Sequence, residues 1–182
     1  TDEMYKKYGL SKDLPIVFFF GGSNGSEEIN KTVAQMIKEK DNLPFQIIHA
    51  TGQDNYNSFI EDLGEKKDLD NISINPYLYD IASAYGICDL VITSSGAITL
   101  AEISSLGLAS ILIPKAYTAE NHQEFNARLY QENGASDMIL ESELNSDILY
   151  EKILNILNNE NSLELMGKNA KKLANPKAKS DI

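Results

Sequence analysis

The chain has 182 residues, 42% of them hydrophobic and 24% charged, and its 27 Asp and Glu against 16 Lys and Arg give a formal net charge of −11. Because binding to a phosphate backbone depends on clustered Lys and Arg that release counterions, this charge argues against nucleic acid as a partner. The longest apolar runs fall far below the roughly 18 residues that cross a bilayer, so we expect no membrane-spanning segment.

Apolar runs that alternate with helical patterns predict a parallel sheet. The first run, Ile16–Phe20, is typical of a strand buried on both faces, and a glycine-rich loop separates it from a helix over Glu27–Lys40. The same alternation predicts strands at Phe45–Ala50, Ile72–Asn75, Leu90–Thr93, Ser110–Ile113 and Ser136–Leu140, and helices at Asn55–Leu63, Asp80–Tyr85, Thr99–Leu106, Gln123–Glu132, Ser146–Asn158 and Ser162–Leu173. Such βαβ units predict the α/β class, with one doubly wound, Rossmann-like domain over residues 1–182.

Two loops of small residues follow predicted strands and open predicted helices. The first, residues 21–26, reads Gly-Gly-Ser-Asn-Gly-Ser, and the second, residues 94–99, reads Ser-Ser-Gly-Ala-Ile-Thr. Ligands of open parallel sheets bind at the carboxyl ends of the strands, where free N–H groups at helix starts favour anions. The first loop lacks the patterns of dinucleotide and P-loop sites, and by itself it could be a bare turn. The two loops together favour a diphosphate.

The helix after the second loop carries two residues whose roles the spacing leaves open. Thr99 could cap this helix or bind a phosphate, and the N–H groups of residues 97–100 would point toward the same ligand. Glu102 could bind a vicinal diol such as a ribose. Alternatively, Glu102 could complete a capping box, because Thr99 and Glu102 have the required Thr-x-x-Glu spacing.

A third polar loop, residues 114–123, ends with His122 and Gln123 at a predicted helix start. These side chains could bind sugar hydroxyls or simply cap the helix. The two histidines are far apart and Cys88 is the single cysteine, so no set of residues has metal-ligand spacing and we expect no metal. A lone cysteine and the absence of a signal-peptide pattern at Thr1 favour a cytoplasmic location.

Together these motifs resemble the donor-binding half of the MurG-type family of GT-B glycosyltransferases. That family transfers GlcNAc from UDP-GlcNAc to undecaprenyl-pyrophosphoryl-MurNAc-pentapeptide in peptidoglycan synthesis. The resemblance is carried, in order, by residues 19–30, 47–52, 85–92, 95–102 and 121–127. It implies the C-terminal half of a GT-B fold and an inverting transfer from UDP-GlcNAc that needs no cofactor and no metal for donor binding.

The resemblance also implies roles for individual residues. The first loop would contact the diphosphate, and the start of the following helix would add further contacts. Glu102 would hold the ribose hydroxyls, Gln123 would bind a GlcNAc hydroxyl, and the backbone of Leu78 would face the uracil. The residues of the two loops and the helix start that are expected to bind the substrate are Gly22, Ser23, Asn24, Gly25, Gly96, Ala97, Ile98, Thr99 and Leu100. Two features depart from the family, which often has Gln where Asn24 stands and has a phosphate-binding arginine without a counterpart before the first strand.

The remaining expectations concern the partners and the location of the chain. Both ends look cut from a longer protein, and the resemblance implies an N-terminal acceptor domain that carries the catalytic base and faces a lipid-linked acceptor. This chain would then contain no catalytic residue, would be inactive alone, and would belong to an enzyme peripheral on the cytoplasmic face of the plasma membrane. The alternatives are a stand-alone sugar-nucleotide subunit, a glycolipid synthase using another UDP-hexose, and a non-enzymatic UDP-sugar-binding module.

Overall fold

The computed structural model describes residues 2–22, 25–116 and 122–174. Within them, six parallel strands form one sheet in the order β3-β2-β1-β4-β5-β6. The strands are β1 (Ile16–Phe20), β2 (Gln46–Ala50), β3 (Ile72–Asn75), β4 (Leu90–Thr93), β5 (Ser110–Leu112) and β6 (Ser136–Met138). The helices are α1 (Asp2–Tyr8), α2 (Glu27–Glu39), α3 (Tyr56–Leu63), α4 (Ile81–Ile87), α5 (Ala97–Leu106), α6 (His122–Glu132), α7 (Ser146–Leu157) and α8 (Glu160–Ala174). The predicted doubly wound α/β fold is confirmed.

Strand β1 is buried on both faces, which explains its unbroken apolar sequence. Val17 and Phe19 pack into a core formed with α2, α3 and α7, whereas Ile16, Phe18 and Phe20 pack into a second core formed with α1, α4, α5 and α6. Burying one such side chain contributes on the order of 2 kcal/mol, so both cores depend strongly on this strand. The side chains of β1 therefore hold helices against the two faces of the sheet.

The structure differs from the sequence-based prediction at several element boundaries. Helix α1 was not predicted, because its short sequence is mostly polar and only Tyr8 is buried, with its hydroxyl 2.6 Å from Ser83 Oγ on α4. Helix α5 begins at Ala97 rather than at Thr99. Strand β5 ends one residue earlier than predicted, and β6 ends two residues earlier. Beyond these ends, the backbone nitrogens of Ile113 and Ile139 each donate one more hydrogen bond to the neighbouring strand, and the regular pairing stops there.

A buried polar chain ties β2 to α2. His49 is completely buried, and its Nε2 donates to Asn30 Oδ1 at 2.8 Å. Asn30 Nδ2 in turn donates to the carbonyl of Thr51 at 2.9 Å. Burial lowers the pKa of His49 to about 3, so the imidazole is neutral when the chain is folded near pH 7.

We expect the burial of His49 to make the folded state less stable in mild acid. Between the ordinary histidine pKa of 6.5 and about 3, the unfolded chain binds a proton that the folded chain does not. The free energy of unfolding should therefore fall by up to about 1.4 kcal/mol for each pH unit below this ordinary value, with no such loss above it. Urea unfolding at several pH values between 7.5 and 5 measures this slope.

The variant His49→Gln keeps an amide donor toward Asn30 but does not titrate, so its stability should depend less on pH. Asn57→Gln serves as the control, because it changes an exposed side chain of α3 that does not titrate and should leave the slope unchanged. A His49→Gln slope equal to that of the unmodified chain would contradict the assignment.

Candidate functional site

A cleft of about 570 Å³ opens at the carboxyl edge of the sheet, beside the ends of β1 and β4. These neighbouring strands mark the point where the strand order reverses, because the chain builds β2 and β3 on one side of β1 and β4 on the other. Connections that diverge from such a point leave a crevice between them. The described lining residues are Phe18, Phe20, Gly21, Gly22, Ala50, Tyr77, Leu78, Tyr79, Ile81, Ser94, Gly96, Ala97, Ile98, Thr99, Glu102, Lys115 and Gln123.

The first glycine loop can follow its path only with glycines. Gly25 has a φ of 77°, and a Cβ there would lie 2.6 Å from the carbonyl oxygen of Thr51. A Cβ on Gly21 would lie 2.3 Å from the backbone nitrogen of Ser26, the N-cap of α2. Gly22 lines the cleft, whereas Gly25 packs behind it against the end of β2. The predicted contacts of Ser23 and Asn24 lie outside the described residues.

The second loop presents to the cleft backbone N–H groups that have no partner among the described residues. Helix α5 begins at Ala97, its N-cap Gly96 offers no side-chain oxygen, and the N–H groups of residues 97–99 precede the first bond of the helix. That first bond runs from Leu100 N to Gly96 O at 3.0 Å, so the Leu100 N–H is not available to a ligand. Of the four N–H groups predicted to point toward a ligand, those of residues 97–99 therefore have no partner within the helix.

The capping-box alternative for Glu102 is wrong. A capping box requires Thr99 to be the N-cap, but α5 starts two residues earlier and Thr99 occupies its third position. Both Thr99 and Glu102 instead line the cleft, one helical turn apart. Their spacing brings a hydroxyl and a carboxylate to the same wall.

Tyr85 holds the Glu102 carboxylate in place. The Tyr85 hydroxyl donates to Glu102 Oε1 at 3.3 Å, and the ring packs edge-on against Phe18 and Phe20 of β1. Burial and the neighbouring carboxylate raise the pKa of Tyr85, so the hydroxyl remains a donor. Sequence analysis gave Tyr85 no role, because one tyrosine on an apolar helix face indicates core packing rather than a polar contact.

Gln123 joins the second and third loops. Its Oε1 accepts from the backbone nitrogens of Ser95 at 3.1 Å and Lys115 at 3.0 Å, and the Ser95 hydroxyl donates to the Gln123 carbonyl at 2.6 Å. Among the described residues, no acceptor takes a hydrogen bond from its Nε2. That amide lies near Gly96, at 3.9 Å from the position of an added Cβ. Gln123 can therefore offer a ligand two donor hydrogens but no acceptor.

The lining of the cleft is of two kinds. Leu78, Ile81 and Phe20 form an apolar wall, and Tyr77 pairs with Tyr79 at 4.8 Å between ring centroids. The glycine loops and Lys115, whose Nζ donates to the Gly25 carbonyl at 3.1 Å, form the polar part. Sequence analysis did not single out Lys115, because nothing local distinguishes it from the other lysines. The cleft therefore suits a ligand with one flat, weakly polar end and one anionic segment.

Other features of the described chain bear on partners. No described helix combines the length and the low polarity that crossing a bilayer requires. Across residues 2–22, 25–116 and 122–174, no three His, Cys, Asp or Glu side chains group as metal ligands would. Cys88 is largely buried, and burial raises the pKa of its thiol to about 12. A thiol in that state is a packing residue rather than a nucleophile.

Comparison with known proteins agrees with this geometry. Residues 16–182 match the family described as the glycosyltransferase family 28 C-terminal domain. A curated relative from Finegoldia magna, UDP-N-acetylglucosamine--N-acetylmuramyl-(pentapeptide) pyrophosphoryl-undecaprenol N-acetylglucosamine transferase, is 51% identical over 178 residues, which cover 97% of this chain and 48% of the relative. The protein of the same name from Acetivibrio thermocellus is 49% identical over 169 residues, covering 92% of this chain and 46% of the relative.

The fold comparison gives the same result. The crystal structure of Acinetobacter baumannii MurG matches with a TM-score of 0.77 at 25% identity, covering 94% of this chain and 49% of that one. The chain thus spans about half the length of the curated relatives it matches. The resemblance to MurG-type transferases and the Rossmann-like GT-B fold are confirmed. The chain therefore belongs to glycosyltransferase family 28 and corresponds to the C-terminal domain of that family.

Proposed function

We propose that this chain binds UDP-GlcNAc as the donor half of an enzyme that transfers GlcNAc to undecaprenyl-pyrophosphoryl-MurNAc-pentapeptide. The activity for which the relatives from Finegoldia magna and Acetivibrio thermocellus are named supports this proposal. The observation that carries the proposal is the meeting of two glycine loops and the Glu102 carboxylate in one cleft. A nucleoside diphosphate sugar needs both kinds of group, because it carries an anionic diphosphate and a ribose diol.

The diphosphate would lie against the start of α5. The N–H groups of Ala97, Ile98 and Thr99 have no partner within the helix, and the helix dipole adds positive potential at this end. Gly22 would allow the diphosphate to approach the backbone of the first loop, because it has no side chain in the way. These groups are fixed before the ligand arrives, so little ordering is needed on binding.

The nucleoside and the sugar would occupy the two sides of this diphosphate. Glu102 keeps one carboxylate oxygen bonded to Tyr85, which leaves the other to accept from ribose hydroxyls. The apolar wall around Leu78 would hold the uracil, with the backbone of Leu78 as its hydrogen-bonding partner. Gln123 would donate from its Nε2 to a hydroxyl of the GlcNAc.

The contribution of this chain to the reaction would be electrostatic. When an acceptor hydroxyl attacks the anomeric carbon from the opposite side, negative charge grows on the departing UDP. Preorganised N–H donors at the start of α5 would stabilise that charge, which is the kind of interaction that lowers a reaction barrier most. The catalytic base would come from an N-terminal acceptor domain, so we assign no catalytic residue to this chain and expect it to be inactive alone.

The acceptor explains where the enzyme would work. Its undecaprenyl chain keeps the acceptor in a membrane, so the two-domain enzyme would act as a peripheral protein at the cytoplasmic face, with the acceptor domain touching the lipid. The relatives are about twice as long as this chain, which supports a two-domain enzyme over a stand-alone subunit. Their names support UDP-GlcNAc over another UDP-hexose.

Calorimetric titration tests donor binding. We expect the chain to bind UDP-GlcNAc and UDP, with UDP-glucose binding more weakly because it lacks the acetamido group. Glu102→Ala should weaken binding of all three by roughly tenfold or more, since a hydrogen bond to a charged group is lost. Thr99→Ala should weaken binding less, because the backbone N–H groups stay.

Glu151→Ala is the matched control, because Glu151 is exposed on α7 against the other face of the sheet. Its affinities should equal those of the unmodified chain. Failure of the unmodified chain to bind any of the three ligands, or equal binding by Glu102→Ala, would contradict the proposal.

A second titration tests the positioning of Glu102 by Tyr85. If Glu102 binds the ribose diol, the chain should prefer UDP to 2′-deoxy-UDP, which lacks one of the two hydroxyls. Tyr85→Phe should reduce this preference several-fold, because the carboxylate is no longer held at the wall. Tyr8→Phe, which removes another buried, hydrogen-bonded hydroxyl that packs on α4, should keep the preference. An unchanged preference in Tyr85→Phe would show that the carboxylate needs no such support.

A further inference from the structure

The side chain of Lys115 crosses the top of the sheet. Lys115 follows β5, which is separated from β1 by β4. Its Nζ nevertheless donates to the carbonyl of Gly25, in the loop after β1, at 3.1 Å. The side chain therefore passes over the carboxyl end of β4, where the second loop begins, and its ammonium lies against the first glycine loop.

The backbone from which this side chain projects is fixed. Lys115 N donates to Gln123 Oε1 at 3.0 Å, and Ala116 N donates to Glu141 Oε1 at 2.8 Å. Lys115 is also partly buried, unlike the fully exposed Lys168 on α8. Both features reduce the entropy that a lysine loses when it binds a ligand.

The charge of Lys115 is not neutralised by the described part of the chain. No carboxylate among the described residues pairs with its Nζ, which bonds only to a neutral carbonyl. An ammonium carries three N–H groups, so two remain for another acceptor. Lys115 is the one cationic side chain among the described residues that line the cleft, and Glu102 is the one anionic side chain.

The electrostatics of the whole chain make this cation important. A formal net charge of −11 disfavours the approach of a diphosphate, which is itself multiply anionic. A single positive charge inside a partly buried cleft acts more strongly on such a ligand than a surface lysine, because water screens it less. The N–H groups of the loops orient an anion, but they do not balance its charge.

We propose that Lys115 is a diphosphate-binding residue, whose ammonium contacts the phosphate oxygens and balances part of their charge. This inference rests on the proposed function and adds to it a residue that neither loop motif contains. Contact with the diphosphate would also let Lys115 stabilise the UDP that departs during transfer. The competing interpretation is that Lys115 only ties the third loop to the first through the Gly25 carbonyl.

Titrations with UDP and with uridine separate these interpretations. Lys115→Gln keeps an amide donor on a side chain one bond shorter but carries no charge, and Lys115→Met has neither donor nor charge. We expect both variants to bind UDP about tenfold more weakly or worse, with uridine binding unchanged, because a charge-assisted hydrogen bond is lost. Lys115→Arg should retain most of the UDP affinity. Lys168→Met, the control that removes an exposed lysine, should bind UDP as the unmodified chain does.

The salt dependence of UDP binding provides a second measurement. Sodium chloride should weaken UDP binding to the unmodified chain more steeply than to Lys115→Gln, since the variant has lost a charge–charge contact. UDP affinity in Lys115→Gln equal to that of the unmodified chain, or equal losses for UDP and uridine, would overturn the role of Lys115 and leave the proposed function standing. Failure of the unmodified chain to bind either ligand would instead overturn the proposed function, and this inference with it.

Discussion

The structure depends on the pairing of β1 with β4 at the centre of a parallel sheet. Phe19 pairs with Ile92, so the two strands end at the same level and their loops emerge side by side. A Cβ on Gly22 would lie 3.3 Å from Ser94 Oγ, which means that the loops are in contact. Because the strand order reverses here, the following helices leave on opposite sides of the sheet and a cleft remains. Every group in the candidate site is positioned relative to this pair of strands.

Dense packing beneath the site keeps its backbone fixed. The first loop lies against the end of β2, and only glycine fits where Gly25 approaches Thr51. The Thr51 carbonyl also accepts from Asn30, whose Oδ1 accepts from the buried His49. These bonds tie β2 to α2, although His49 Nδ1 is buried without a hydrogen-bond partner among the described residues. Dense packing of this kind suits a site that binds its ligand through backbone N–H groups, because these groups cannot change orientation as side chains do.

The polar side chains of the cleft are held by residues from other elements. Glu102 on α5 is bonded to Tyr85 on α4, and Gln123 on α6 is bonded to the backbones of Ser95 and Lys115. The contacts of Glu102 with Tyr85 and of Gln123 with Ser95 join residues 17 and 28 positions apart, so the site forms only when the sheet is assembled. These supporting contacts also determine which atoms can face a ligand. Within the described part of the chain, they leave the Gln123 Nε2 donor and one carboxylate oxygen of Glu102 without a partner. This selection matches a ligand that combines hydroxyls with phosphates.

The sequence by itself determined the α/β fold, the two glycine loops and about half of the described cleft-lining residues, because strand periodicity and small-residue loops are local patterns. It left two readings for Glu102, since spacing within one segment cannot show where a helix begins. The tertiary structure removed the capping-box alternative when it placed the start of α5 at Ala97. It also revealed Tyr85 and Lys115, whose roles depend on partners 17 and 90 positions away in the chain. Such contacts have no local signature, because they arise only when strands that are separated in sequence become neighbours in the sheet.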